Sequence, residues 1–145
     1  MRIMTPEEFA VQCHRFGWKC TPQRLAVYVS ICGDRTHPDV DRVWGEVRDR
    51  LPTVTRESVY RILNEFSERG LVRRLDRVNT ARYDADTTPH GHFICEKCGR
   101  ITDFELTENP AAFIPATPPG RIRHTELRCI GLCSDCDKPN RGPRP

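Results

Sequence analysis

The first half of the chain shows four segments in which apolar residues recur three or four positions apart, the spacing of one helix face. Each segment follows a residue suited to cap a helix, and each ends at a glycine or a proline. The predicted caps are Thr5, Thr21, Asp39 and Thr55, and the predicted stops are Gly17, Gly33, Pro52 and Gly70. In the fourth segment the inward positions are Val59, Ile62, Leu63 and Phe66. We therefore predict four helices, the last with a polar outer face.

A basic hairpin is predicted after the fourth helix. Residues 71–75 and 81–83 are β-prone, and residues 76–80 between them are mostly polar. The hairpin carries Arg73, Arg74, Arg77 and Arg82. Helices followed by such a hairpin are typical of a winged helix-turn-helix. A helical bundle with a solvated charged face fits the pattern alone equally well, but the basic hairpin favours DNA binding. The candidate DNA contacts are Arg56, Ser58, Tyr60, Arg61, Asn64 and Arg77.

The second half of the chain is predicted to be a smaller domain built from short strands. Residues 84–89 are polar and predict a hinge, and strands are predicted at 92–95, at 100–105 and within 121–132. Four prolines in segment 109–120 exclude a long helix there. The predicted organisation is a DNA-binding domain over 1–83, a hinge over 84–89, a metal-binding domain over 90–137 and a disordered tail over 138–145. The fold class is α+β.

Composition narrows the class of protein. The chain has 145 residues, of which 37% are hydrophobic, and its net charge is +3. All of that excess lies in residues 1–84, where fourteen of fifteen cations are arginine. Arginine suits phosphate contacts, although a net of +3 is weak evidence by itself. We find no signal-peptide pattern and no apolar run long enough to span a membrane, which predicts a cytoplasmic protein.

Four of the eight cysteines form two C-x-x-C pairs, Cys95 with Cys98 and Cys133 with Cys136. In a chain without a secretion signal, this spacing indicates zinc rather than disulfides. Four thiolates make a closed tetrahedral site, which is structural and not catalytic. Cys13, Cys20, Cys32 and Cys129 are predicted to be free thiols.

A second group of potential metal ligands surrounds the first C-x-x-C pair. It consists of Asp84, His90, His92 and Asp103, whose imidazoles and carboxylates suit a harder ion such as Fe²⁺ or Mn²⁺. His90 and His92 are two positions apart, which places both rings on one face of a strand. A turn at Gly99 would carry Asp103 back beside them. The simpler interpretation is a zinc ribbon with two incidental surface histidines.

With these motifs the sequence resembles the ferric uptake regulator family of metal-dependent repressors, over nearly the whole chain. The shared motifs are TPQR at 21–24, His37-Pro38, SVYRIL at 58–63, ERGLV at 68–72, ARYD at 81–84, HGHFICEKCG at 90–99 and GLCSDC at 131–136. The resemblance implies a homodimer that binds double-stranded DNA through winged-helix domains. It also implies that the second domain is a zinc-containing α/β dimerisation domain.

The resemblance also implies a regulatory site for Fe²⁺ or Mn²⁺ at His37, Asp84, His90, His92 and Asp103. Aspartate at position 103 matches peroxide-sensing members, whereas iron-uptake members usually have glutamate. By the same analogy, His37 and His90 are the imidazoles that peroxide would oxidise. Two departures stand out. Pro89 and Gly91 replace the His and Asp of a further site that many iron-uptake members have, so we expect that site to be absent although His124 remains. Segment 109–120 stands where the family has a helix against its dimer partner.

The function we expect is a metal-dependent DNA-binding repressor that senses peroxide through iron-catalysed oxidation of a histidine ligand. The nearer alternative is an iron-uptake repressor that senses only the metal level. An alternative of another class is a non-haem iron enzyme, because histidine and carboxylate ligands with an open position define those sites too. No substrate pocket is indicated, so we expect a protein that is not an enzyme. A zinc-ribbon interaction module would leave residues 1–84 unexplained.

Overall fold

The structure, a computed structural model, describes residues 3–76, 80–109, 112, 114–122 and 124–138. The chain divides into two units, Met1–Thr87 and Thr88–Pro145. This boundary lies inside the segment predicted as a hinge. The disordered tail predicted over 138–145 lies outside the described residues from position 139 onward.

Four helices form the first unit, and each begins directly after its predicted cap. Thr5, Thr21, Asp39 and Thr55 each accept a hydrogen bond from the backbone N–H three residues later. Thr5 and Glu8 make the reciprocal bonds of a capping box. Gly17 and Gly70 follow helix ends with φ of 72° and 71°, a conformation that glycine adopts without strain. The helices are α1 Pro6–Arg15, α2 Pro22–Gly33, α3 Val40–Arg50 and α4 Arg56–Glu68.

One hydrophobic core holds these helices together. The predicted inward face of α4 is fully buried, since Val59, Ile62, Leu63 and Phe66 are at most 2% exposed. Phe9 of α1 stacks on Tyr28 of α2 with ring centroids 4.8 Å apart, and its ring edge meets Phe66. The periodic apolar residues therefore pack as the sequence predicts.

The hairpin consists of β1 Arg73–Leu75 and β2 Arg82–Asp84, paired antiparallel with Arg74 opposite Tyr83. The first strand is two residues shorter than predicted. The backbone N–H groups of Leu71 and Val72 donate to the carbonyl of Phe66 and so close the end of α4 instead of joining the sheet. Asp84, predicted as the first residue of the hinge, is the last residue of β2.

The second unit contains a three-stranded sheet of β3 Gly91–Cys95, β4 Ile101–Phe104 and β5 Leu127–Gly131. The strand order is β4-β3-β5, antiparallel between β3 and β4 and parallel between β3 and β5. The described part of segment 109–120 contains no α-helix or strand, as its prolines predict. No helix among the described residues is long and apolar enough to cross a membrane.

Candidate functional site

The two C-x-x-C pairs meet in the second unit. Their four sulfur atoms, from Cys95, Cys98, Cys133 and Cys136, all lie within 4.8 Å of one another. The sulfurs of Cys98 and Cys133 are 3.8 Å apart. Sulfurs at about 2.3 Å from a tetrahedral zinc ion are about 3.8 Å from each other, so this spacing fits zinc. Cys95 ends β3, and the backbone N–H of Glu96 donates to Gly131 at the end of β5, which brings the two pairs together.

The electrostatics of this cluster favour a cation. Backbone N–H groups of Cys98 and Cys133 point at the sulfur of Cys95 and lower the pKa of that thiol to about 6. The pKa of Cys136 is raised to about 12, chiefly by its hydrogen bond to the sulfur of Cys133. Four thiolates this close repel one another, so full deprotonation of the set requires a compensating metal charge.

His90, His92 and Asp103 converge beside the sheet of the second unit. The Nε2 atoms of the two histidines are 2.9 Å apart, and a carboxylate oxygen of Asp103 lies 3.7 Å and 3.6 Å from them. Asp103 is the cross-strand partner of His92, as the predicted hairpin requires. His92 is 0% exposed, which contradicts the interpretation of incidental surface histidines.

The orientation of His90 presents a lone pair to this cluster. Its Nδ1 lies 2.8 Å from the carbonyl oxygen of Thr88. A carbonyl oxygen only accepts, so Nδ1 carries the proton and Nε2 presents its lone pair to the cluster. Two imidazole nitrogens and a carboxylate oxygen at these separations match the donor set of Fe²⁺ or Mn²⁺.

In the first unit, His37 and Asp84 bring two further potential ligand atoms together. A ring nitrogen of His37 and a carboxylate oxygen of Asp84 lie within 4.8 Å of each other, and both residues are buried. Two hydrogen bonds tie the His37 loop to β2: Arg82 donates to the His37 carbonyl and the Tyr83 N–H donates to the Pro38 carbonyl. His37 has a φ of 57°, a strained conformation for a non-glycine residue of the kind found at functional sites.

The outer face of α4 carries five of the six candidate DNA contacts, and the sixth, Arg77, lies outside the described residues. Arg56 makes a two-pronged ion pair with Asp41 of α3, at 2.5 Å and 3.0 Å. Arg61 is 64% exposed and lies 3.5 Å from Glu65. Ser58, in the first turn, lies beside the capping residue Thr55. Arg61 is therefore the more available of the two arginines for contact with a phosphate or a base.

Asn64 is more constrained than its sequence position suggests. Its Oδ1 accepts from Arg74 of β1 at 3.2 Å and from the Tyr83 hydroxyl at 3.5 Å. Reading an adenine requires both Oδ1 and Nδ2 of an asparagine. Hydrogen bonds with Asn64 and Arg74 lower the pKa of the Tyr60 hydroxyl. Asn64 thus connects the hairpin to α4 and positions Tyr60, a role that the spacing of polar residues alone does not reveal.

Comparison with known proteins places the chain among regulators. The model of the ferric uptake regulator family matches residues 15–112. The chain belongs to this family. The peroxide operon regulator of Bacillus subtilis is 32% identical over 128 residues, covering 84% of this chain and 86% of that protein. The peroxide-responsive repressor PerR of Staphylococcus epidermidis is 27% identical, covering 90% of this chain and 89% of that protein.

Solved structures of ferric uptake regulator proteins share the fold. The Helicobacter pylori regulator Fur, whose structure is described as having three functional metal binding sites, has a TM-score of 0.73 at 20% identity, covering 97% of this chain and 99% of that chain. The Campylobacter jejuni peroxide stress regulator has a TM-score of 0.67 at 26% identity, covering 88% and 97%. These relatives are regulators, so the enzyme alternative is not supported.

The structure gives a physical reason for one departure from the family pattern. The ring of Phe104 covers Gly91, and a Cβ added there would lie 2.3 Å from a ring carbon. An aspartate at this position would therefore require the Phe104 ring to move. His124, the remaining histidine of that further site, is exposed.

Glu126, which the sequence did not single out, lies 3.6 Å from the Nδ1 of His92. The parallel pairing of β5 with β3, with Leu127 opposite Gly91, brings Glu126 close to His92.

Proposed function

We propose that this chain is a metal-dependent, DNA-binding transcriptional repressor that responds to peroxide. The observation that carries the proposal is the convergence of the two Nε2 atoms of His90 and His92, 2.9 Å apart, with one oxygen of Asp103. The names of the peroxide-responsive relatives support it, as does aspartate rather than glutamate at position 103. DNA as the target implies a cytoplasmic location.

We propose from the family resemblance that His37 and Asp84 serve the same ion as His90, His92 and Asp103. A metal held by ligands from both units would restrict their relative motion and favour the arrangement that binds DNA. A nearly complete switch requires a differential affinity of about 10⁴, or ~5.5 kcal/mol. Five ligands drawn from both units can supply this difference in free energy, because separating the units breaks metal–ligand bonds.

The four cysteines would hold zinc for a structural purpose. Structural zinc contributes about 10–16 kcal/mol of apparent binding free energy. A whole small domain is stable by about 5–15 kcal/mol. We therefore expect the second unit to require zinc for folding, whereas the ion at His90, His92 and Asp103 regulates.

Members of the family act as dimers that bind DNA. The solved structure of the Vibrio cholerae ferric uptake regulator is described as revealing a rearrangement of its DNA-binding domains. In this chain, β5 is an edge strand with Leu127 and Ile130 exposed, the latter by 69%. Among the described strands β5 lies at the edge of its sheet, and an exposed apolar edge strand favours association with a second copy. Two copies would present two α4 helices to two half-sites of an operator.

Ferrous iron held by the regulatory ligands would catalyse the oxidation of a neighbouring imidazole by hydrogen peroxide and would not be consumed in the net reaction. In the net reaction, one histidine gains an oxygen atom and peroxide becomes water. His37 and His90 are the expected targets, and loss of an imidazole ligand would release metal and then DNA. Each molecule reacts once, so this is sensing and not turnover.

The test compares Fe²⁺-loaded and Mn²⁺-loaded protein in an operator-binding assay, with intact mass measured after treatment with hydrogen peroxide. Both metals should support DNA binding, and only the iron form should gain oxygen and dissociate. Metal-dependent DNA binding without histidine oxidation in the iron form would leave the iron-uptake repressor as the function. Turnover of a substrate by the iron form would instead support an enzyme.

A further inference from the structure

The two nitrogens of the His92 ring face different groups. Nε2 faces His90 and Asp103 at 2.9 Å and 3.6 Å, whereas Nδ1 lies 3.6 Å from a carboxylate oxygen of Glu126. Ring nitrogens of imidazole point in different directions, so Glu126 does not approach the ion that Nε2 would bind. Its carboxylate instead lies near Nδ1, less than 1 Å beyond the usual hydrogen-bond distance of about 2.9 Å.

Arg128 holds this carboxylate in place. Its Nε lies 2.6 Å from one oxygen of Glu126 and its Nη2 lies 2.9 Å from the other. Arg128 is also the register partner of His92 between the parallel strands β5 and β3. The sheet therefore fixes His92 and Arg128 relative to each other, and the two-pronged arginine contact limits rotation of the Glu126 carboxylate.

We infer that Glu126 is a positioning residue for the metal ligand His92, an inference that rests on the proposed regulatory metal site. By accepting from Nδ1–H, Glu126 keeps the proton on that nitrogen and leaves the Nε2 lone pair directed at the ion. A carboxylate partner also makes the imidazole a stronger donor, and loss of such a partner typically lowers metal affinity by about 10–100-fold. Arg128 neutralises part of the carboxylate charge and restrains its orientation.

The experiment uses the full chain with its structural zinc and compares wild type with Glu126→Ala and Glu126→Gln. Glu108→Gln is the matched control, because Glu108 is an exposed glutamate of the same unit. Mn²⁺ affinity is measured from the loss of the free-ion paramagnetic resonance signal during titration. The protonation of the His92 ring is measured by long-range ¹⁵N–¹H NMR with diamagnetic Zn²⁺ in the regulatory site, because without an ion there one of the facing Nε2 atoms of His90 and His92 would carry a proton.

Glu126→Ala is expected to bind Mn²⁺ at least about 10-fold more weakly than wild type and to lose the hydrogen-bonded Nδ1–H signal of His92. Glutamine offers a neutral acceptor oxygen, so Glu126→Gln should retain the Nδ1–H tautomer and lose less affinity. The control should match wild type in both measurements. Because Glu126→Gln changes no volume, it tests the inference even where the alanine variant fails to fold.

Two results would overturn the role of Glu126: wild-type His92 protonated on Nε2, or a folded Glu126→Ala protein with wild-type Mn²⁺ affinity. A Glu126→Gln protein weaker than a folded Glu126→Ala protein would contradict it as well. A different result would contradict the proposed function: wild-type protein that binds Mn²⁺ but whose affinity for DNA does not change. In that case the tautomer and the affinity series would still decide the role of Glu126.

Discussion

Lengthening the side chain at position 103 tests whether its reach sets peroxide reactivity. Two nitrogens bound at right angles to one ion, each at about 2.1 Å, are about 3.0 Å apart. The observed Nε2–Nε2 distance of 2.9 Å between His90 and His92 matches that geometry. The nearest oxygen of Asp103 lies 3.6 Å and 3.7 Å from the same nitrogens, slightly outside it. A small shift of the Asp103 carboxylate toward the two nitrogens would let one of its oxygens coordinate the same ion.

Glutamate at this position would add one carbon–carbon bond, about 1.5 Å. That length is roughly twice the gap that Asp103 must close. The glutamate carboxylate would overshoot the single-oxygen position and bring both oxygens to the ion, which would occupy the position open to peroxide. Asp103→Glu should therefore keep metal-dependent DNA binding but lose most of the oxidation of His37 and His90 in the iron form.

The assay is tandem mass spectrometry of peptides containing His37 and His90 after peroxide treatment, run beside operator binding. Asp103→Asn keeps the length and removes the charge, so it should weaken metal binding itself. Mn²⁺-loaded wild type is the unreactive control. Oxidation of the glutamate variant at the wild-type rate would show that side-chain length at position 103 does not set peroxide reactivity.

Four further predictions follow from the structure. Cys95→Ser or Cys136→Ser should give unfolded or monomeric protein without zinc, and a well-folded zinc-free dimer in size-exclusion and metal analysis would refute the structural role. Gly91→Ala should lower stability by about 1–3 kcal/mol in thermal unfolding, because the new methyl group meets the Phe104 ring, whereas Gly120→Ala meets nothing within 4 Å and should not. Arg61→Ala should weaken operator binding by about 1–3 kcal/mol if Arg61 reads a base, and unchanged binding by folded protein would point to another face. Tyr60 should be the first tyrosine to ionise as pH rises, since hydrogen bonds with Asn64 and Arg74 lower its pKa, whereas burial raises the pKa of Tyr28 to about 12 and also raises that of Tyr83. Arg74→Gln should move this first ultraviolet transition to higher pH, and an unmoved transition would argue against the contact.

Features that depend on neighbouring residues could be predicted from the amino-acid sequence alone. Helix starts follow from caps such as Thr5 and Thr55, whose partners are three residues away, and the buried face of α4 follows from the helical period. The zinc cluster follows from two C-x-x-C pairs. The pairing of Asp103 with His92 was also predictable, because one short turn at Gly99 fixes the register of that hairpin.

Contacts between distant segments determine which side chains already have partners, and these contacts become visible only in the folded protein. Arg56 and Asn64 have the right spacing on α4 for DNA contacts, but Asp41 on α3 and Arg74 on β1 occupy them. Glu126 reaches His92 through parallel pairing of strands more than thirty residues apart in sequence. Such contacts depend on the register between distant segments, which is set by packing and by the backbone bonds of the whole sheet. No local pattern encodes that register, so these residues gain their roles only in the folded unit.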